Sequence, residues 1–94
     1  MKKKVIGQVG VDSGSLLISD PSYINDHFSI EGDDIFKIYP DRDRHRQIST
    51  QATKNTIKIP IAMTVQTGWG DGVYPVTAHY NRDGRIAKVE IDFE

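Results

Sequence analysis

The sequence predicts a mainly β protein, a small antiparallel sheet curled into a barrel or folded as a sandwich, with at most one or two short helical turns. Two observations carry this. Residues 57–66, 73–80 and 85–93 each alternate apolar and polar side chains with a period of two, the pattern of a strand with one covered face. Short β-like runs separated by Gly, Asp and Asn turns fill much of the remaining chain, and little of it reads as helix. At 94 residues the chain is expected to form a single domain.

Residues 5–11 read as a strand weakened by Gly7 and Gly10. Asp12-Ser13-Gly14 reads as a turn, and residues 15–19 as a second strand. Asp20 followed by Pro21 has the chemistry of an N-cap and a first helical position, opening a helical turn through Tyr23 and Ile24. Residues 35–39 are a further short strand candidate. Residues 40–56 are almost wholly polar and read as a long loop within the domain, either mobile or functional.

In the next strand Ile57, Ile59, Ile61, Met63 and Val65 form the apolar face. Pro60 lies on the polar side and donates no ladder hydrogen bond, which predicts an edge strand or a bulge. Tyr74, Val76, Ala78 and Tyr80 form the inward face of the following strand. Asn81-Arg82-Asp83-Gly84 is a hairpin turn, after which Ala87, Val89, Ile91 and Phe93 face inward. The last three strands are expected to pair in chain order as an antiparallel meander.

Composition excludes several classes. A net charge of -1 provides no global field for nucleic acid or an acidic membrane. The absence of cysteine removes disulfides, thiol catalysis and thiolate-bound zinc, and fits a cytoplasmic location. Lys2-Lys3-Lys4 resembles the start of a signal peptide, but the run after it is too short and polar for one. No stretch approaches the ~20 apolar residues of a membrane span. A chain this small has a limited core, so a homo-oligomer is expected.

Gly68-Trp69-Gly70-Asp71-Gly72 has two readings. It is a glycine-rich hairpin connection, or a nest of backbone N–H groups for an anion with Trp69 stacked over it. It lacks the Lys-Ser/Thr ending of a Walker loop and precedes a strand. Arg42, Arg44 and Arg46 alternate with Asp41, Asp43 and His45, as a solvated loop or as a clamp for phosphate or carboxylate, with Tyr23, Trp69 and Tyr74 available for stacking on a base. Tyr74 belongs to the inward set of its own strand and is expected to pack. Asp12, Asp20 and Asp71 are separate turn and cap residues, or ligands of a hard cation. Ser13 and Ser15 lie in no nucleophile elbow, and His27, His45 and His79 match no zinc-ligand spacing. No catalytic residue and no cofactor is assigned.

Two segments carry a resemblance. The first is Val11-Asp12-Ser13-Gly14-Ser15-Leu16-Leu17-Ile18-Ser19-Asp20-Pro21-Ser22-Tyr23-Ile24. The second is Gly68-Trp69-Gly70-Asp71-Gly72-Val73-Tyr74-Pro75-Val76, continuing through Gly84-Arg85-Ile86 to Phe93. Together they resemble a family of small uncharacterised proteins from bacteria and their phages. Members of that family often carry cysteines around the Asp-Pro element, where this chain has Ser19 and Ser22; the departure argues against a metal role there. The resemblance implies a fold and a phage or prophage origin rather than a chemistry.

The expected function is that of a small cytoplasmic, non-enzymatic binding module of phage or prophage type, engaging a host protein or a small phosphorylated ligand. Trp69, Gly70, Asp71, Tyr23, Arg42, Arg44 and Arg46 are the candidate contacts. A structural or assembly component without ligand is the first alternative. An enzyme dependent on a divalent cation held by Asp12, Asp20 and Asp71 is the second.

Overall fold

The computed structural model describes residues 2–24, 38–49 and 58–94. Its strands are β1 (Lys2–Val11), β2 (Ser15–Ser19), β3 (His45–Ser49), β4 (Pro60–Gln66), β5 (Gly72–Tyr80) and β6 (Ile86–Ile91). The fold is mainly β, as expected. The strands form two three-stranded antiparallel sheets, β1-β5-β6 and β2-β4-β3, and neither closes into a barrel. Among the described residues, no helix is long and apolar enough to cross a membrane.

The chain divides into two compact units. The first unit comprises Met1–Gly14 and Thr67–Glu94 and holds the β1-β5-β6 sheet. The inward face expected for β5 is confirmed, since Tyr74 and Ala78 are buried and Val76 and Tyr80 are half-buried. Val11 of β1 is buried on the same face. On β6 only Ile91, and Phe93 just beyond it, are partly covered, while Val89 of the expected inward set is exposed. Ile6 falls in a register shift between Val5 and Gly7, a β-bulge.

The β5–β6 hairpin is built by its turn. The Asn81 carboxamide oxygen accepts from the backbone N–H groups of Asp83 (2.9 Å) and Arg85 (3.0 Å). Gly84 supplies the positive φ of 79° that closes the turn onto β6. Pro75 lies in the central strand of this sheet, where proline is rare. Its carbonyl accepts from the Asp92 N–H just past the end of β6, so the missing proline N–H falls where no ladder partner is needed.

The second unit, Ser15–Gln66, holds the β2-β4-β3 sheet. The turn after β2 forms as its chemistry predicts. Pro21–Tyr23 is a short 3₁₀ turn, and the Asp20 carboxylate accepts from the Ser22 N–H at 2.9 Å. The hydrogen bonds from the backbone and side chain of Ser22 hold the Asp20 carboxyl below the usual carboxylate range. The cap is therefore present above the ordinary carboxylate pKa and lost as pH falls through the lowered folded value. Protection of the Ser22 amide, its exchange rate taken relative to the intrinsic rate at the same pH, is expected to fall in Asp20→Ala, and in the wild type on acidification; protection insensitive to both would contradict the cap.

The meander is corrected. β4 pairs with β2 and β3, while β5 pairs with β1 and β6, so the segment joining β4 to β5 connects two sheets and closes no hairpin. Period-two patterning identifies strands but carries no information about which partner each finds. The expected loop over 40–56 is corrected too, because it contains β3. That strand is nearly all polar and is held by backbone pairing to β4, including Gln66 N–H to the Arg44 carbonyl at 2.8 Å. Pro60 is not on an edge strand: β4 is central, and the register shift beside the Ser49–Pro60 pair realises the bulge alternative.

The covered face of β4 also differs from expectation. Ala62 and Thr64 are buried, Ile59 and Met63 are exposed, and only Ile61 and half-buried Val65 of the expected face are covered. Alternation identifies two faces but does not by itself say which is covered. The expected strand over 35–39 lies largely outside the described residues, and its described part, Ile38 and Tyr39, is not strand. Ile57 and His27 also lie outside them.

Candidate functional site

In the first unit, loop 67–71 is built around Trp69. Gly68 and Gly70 both adopt φ of 78°, a left-handed conformation that residues with a Cβ rarely take. This pair of reversals turns the Trp69 side chain outward, and it is 68% exposed. The loop beneath it is pinned. The Thr67 N–H donates to the Gly14 carbonyl at 3.1 Å. The Thr67 hydroxyl donates to the Gly70 carbonyl at 2.7 Å, and the Tyr74 hydroxyl donates to the same oxygen at 2.6 Å. Tyr74 is itself fixed, with its ring edge-on to Phe93 at a centroid distance of 5.3 Å and an interplanar angle of 80°. Tyr74 is thus a buried support and not a stacking surface, as its place on the inward face of β5 implied.

Asp71 is exposed in this loop. The pairing of Val11 with Gly72 places the turn bearing Asp12 at the same end of the sheet. The Gly68–Gly72 motif carries no basic residue. The loop thus presents an exposed indole and, two residues on, an exposed acid with no base in the motif, a composition that disfavours anions.

Asp20, Tyr23, Arg42, Arg44 and Arg46 belong to the second unit. Asp20 is engaged as the cap of its turn. Tyr23 is half-buried at the end of the same turn. Arg42 and Arg44 are exposed, and Arg46 is half-buried with a guanidinium nitrogen 3.9 Å from the Asp41 carboxylate. The site residues read from sequence are therefore divided between two units, with Asp12, Trp69, Gly70 and Asp71 in the first. Among the described residues, no group of three or more His, Asp or Glu side chains is placed to hold a metal ion.

A family model described as "Protein of unknown function (DUF4241)" matches residues 5–91, nearly the whole chain. The chain belongs to the DUF4241 family. No curated protein and no solved structure matches it. The match runs from within β1 to the end of β6, so the pinned Trp69 loop is part of the DUF4241 domain.

Sequence reasoning missed two features of this DUF4241 domain. One is the role of Thr67 and Tyr74 in holding Gly70; the available signal was a tyrosine four residues after a glycine expected to turn. The other is the backbone of Arg44. The Arg44 N–H donates to the Asp41 carbonyl at 2.8 Å, closing a β-turn, and Arg44 takes a φ of 75°. It is the non-glycine residue with positive φ among those described. That conformation costs about 1–2 kcal/mol for a residue with a Cβ, while glycine loses roughly 0.5–1 kcal/mol in chain entropy. Arg44→Gly is therefore expected to stabilise the domain by about 0.5–1 kcal/mol in urea denaturation. A loss of stability instead would show that the Arg44 side chain makes contacts worth more than the relief.

Proposed function

We propose that this DUF4241 protein is a small non-enzymatic binding module of phage or prophage type that engages a host protein through loop 67–71, with Trp69 as the anchor. The carrying observation is an indole 68% exposed on a loop whose Gly70 carbonyl takes two hydrogen bonds from below. Tryptophan is enriched among residues that dominate protein–protein binding energy. A loop already held in one conformation loses little entropy on binding, so more of the contact energy appears as affinity. A protein partner is favoured over a phosphorylated ligand because the segment Thr67–Gly72 around Trp69 carries Asp71 and no lysine or arginine. The phage or prophage origin rests on the resemblance carried by the Asp-Pro and Gly-Asp-Gly segments.

A second reading is supported by Arg44. A non-glycine residue at positive φ stores strain of the kind found at ligand clamps, and here that residue is an exposed arginine two positions after exposed Arg42. On this reading the turn Asp41–Arg44 receives a phosphate or carboxylate.

One experiment separates them. Tagged full-length wild type, Trp69→Ala and Arg44→Ala are expressed in the host cell, and what each retains is identified by mass spectrometry, proteins and released small molecules alike. A protein retained by wild type and Arg44→Ala but lost by Trp69→Ala supports the first reading. A phosphorylated small molecule lost only by Arg44→Ala supports the second. Identical yields from all three contradict both and leave an assembly component without ligand.

A further inference from the structure

We infer that a second copy of this chain docks along β6, joining two β1-β5-β6 sheets through an antiparallel β6–β6 pair. β6 is an outer strand of its sheet, and Ile86 and Val89 on it are 52% and 53% exposed. The other outer strand, β1, is blunted in the usual ways, by Lys2, Lys3 and Lys4 and by the bulge at Ile6. β6 has a bulge at Ala87, but its last four residues, Lys88 to Ile91, pair in regular register and carry one base and one acid, Lys88 and Glu90.

The backbone is correctly disposed. The Asp92 N–H donates to the Pro75 carbonyl, so Asp92, Glu90 and Lys88 direct their backbone groups toward β5. By alternation Val89 and Ile91 direct theirs outward, where a partner strand would receive them.

The register follows from symmetry and charge. Two identical antiparallel strands about a dyad must be centred on a residue, because residues opposite each other share a face. Centring on Lys88 sets Lys88 against itself, and centring on Glu90 sets Glu90 against itself. Centring on Ala87 sets Lys88 against Ile86. Centring on Val89 sets Lys88 against Glu90 of the second copy twice over, with Val89 against Val89 on the other face. Opposite charges directly across a ladder stabilise it and like charges destabilise it. Glu90 already lies 3.1 Å from His79 Nε2, so its carboxylate stands on the face where Lys88 of the second copy arrives.

The test is sedimentation equilibrium of the full chain, with circular dichroism as a check on folding. The wild type is expected to reach a mass twice 10.6 kDa. Lys88→Glu and Glu90→Lys, each creating two like-charge pairs, are expected to weaken the dimer about tenfold, and the double exchange to restore it within about threefold. Val89→Lys, at an exposed position, sets two like charges at the dyad and is expected to yield monomer with an unchanged fold. A wild type that stays monomeric up to about 1 mM, the range of the weakest specific contacts, overturns the inference. So does a dimer indifferent to the single reversals, or one that the double exchange fails to restore.

Discussion

Tyr74→Ala is expected to cost about 3–5 kcal/mol of stability, the range for removing a buried aromatic ring. The substitution deletes the edge-on contact with Phe93 and the hydrogen bond to the Gly70 carbonyl. A chain of 94 residues has a stability at the low end of roughly 5–15 kcal/mol. The loss therefore consumes most of it, and the variant should be largely unfolded at mild urea concentrations. Tyr74→Phe separates the two contributions. It keeps the ring and loses one buried hydrogen bond, for about 1 kcal/mol. A Tyr74→Ala variant destabilised by no more than Tyr74→Phe would show that the ring contributes nothing to the core.

Trp69→Ala is expected to do the reverse. At 68% exposure the indole contributes little to folding, and the urea midpoint should move by no more than about 0.5 kcal/mol equivalent. Affinity for a protein retained through this loop should fall by about 2 kcal/mol or more, roughly thirtyfold. Titration calorimetry with the retained protein measures it. A large stability loss would place Trp69 in the core, and an unchanged affinity would remove it from the binding surface.

Local chemistry was legible in the sequence, and partner choice was not. Asp20-Pro21 specified its turn because a carboxylate facing an N–H and a fixed proline φ act within three residues. Asn81 through Gly84 specified a hairpin for the same reason. The glycines flanking Trp69 indicated a reversal, yet not that it would lead from one sheet to another, because pairing of β4 with β2 and β3 depends on residues far away in the chain. β3 was illegible because His45, Arg46, Gln47 and Ser49 carry no apolar alternation, and its place is set by backbone pairing to β4. Of the candidate site, the residue types were visible. The Tyr74 and Thr67 hydroxyls converging on Gly70 are contacts that only the folded turn creates. The division of Trp69 and the arginines between two units follows from the same sheet assignment that ended the meander.

The most direct test of an outward-held Trp69 is the fluorescence of the protein, whose sequence contains a single tryptophan. Emission characteristic of a water-exposed indole is expected in the native state, quenched by iodide nearly as efficiently as after denaturation. Native emission shifted to short wavelength and shielded from iodide, moving to the exposed value only on unfolding, would contradict the outward placement of Trp69.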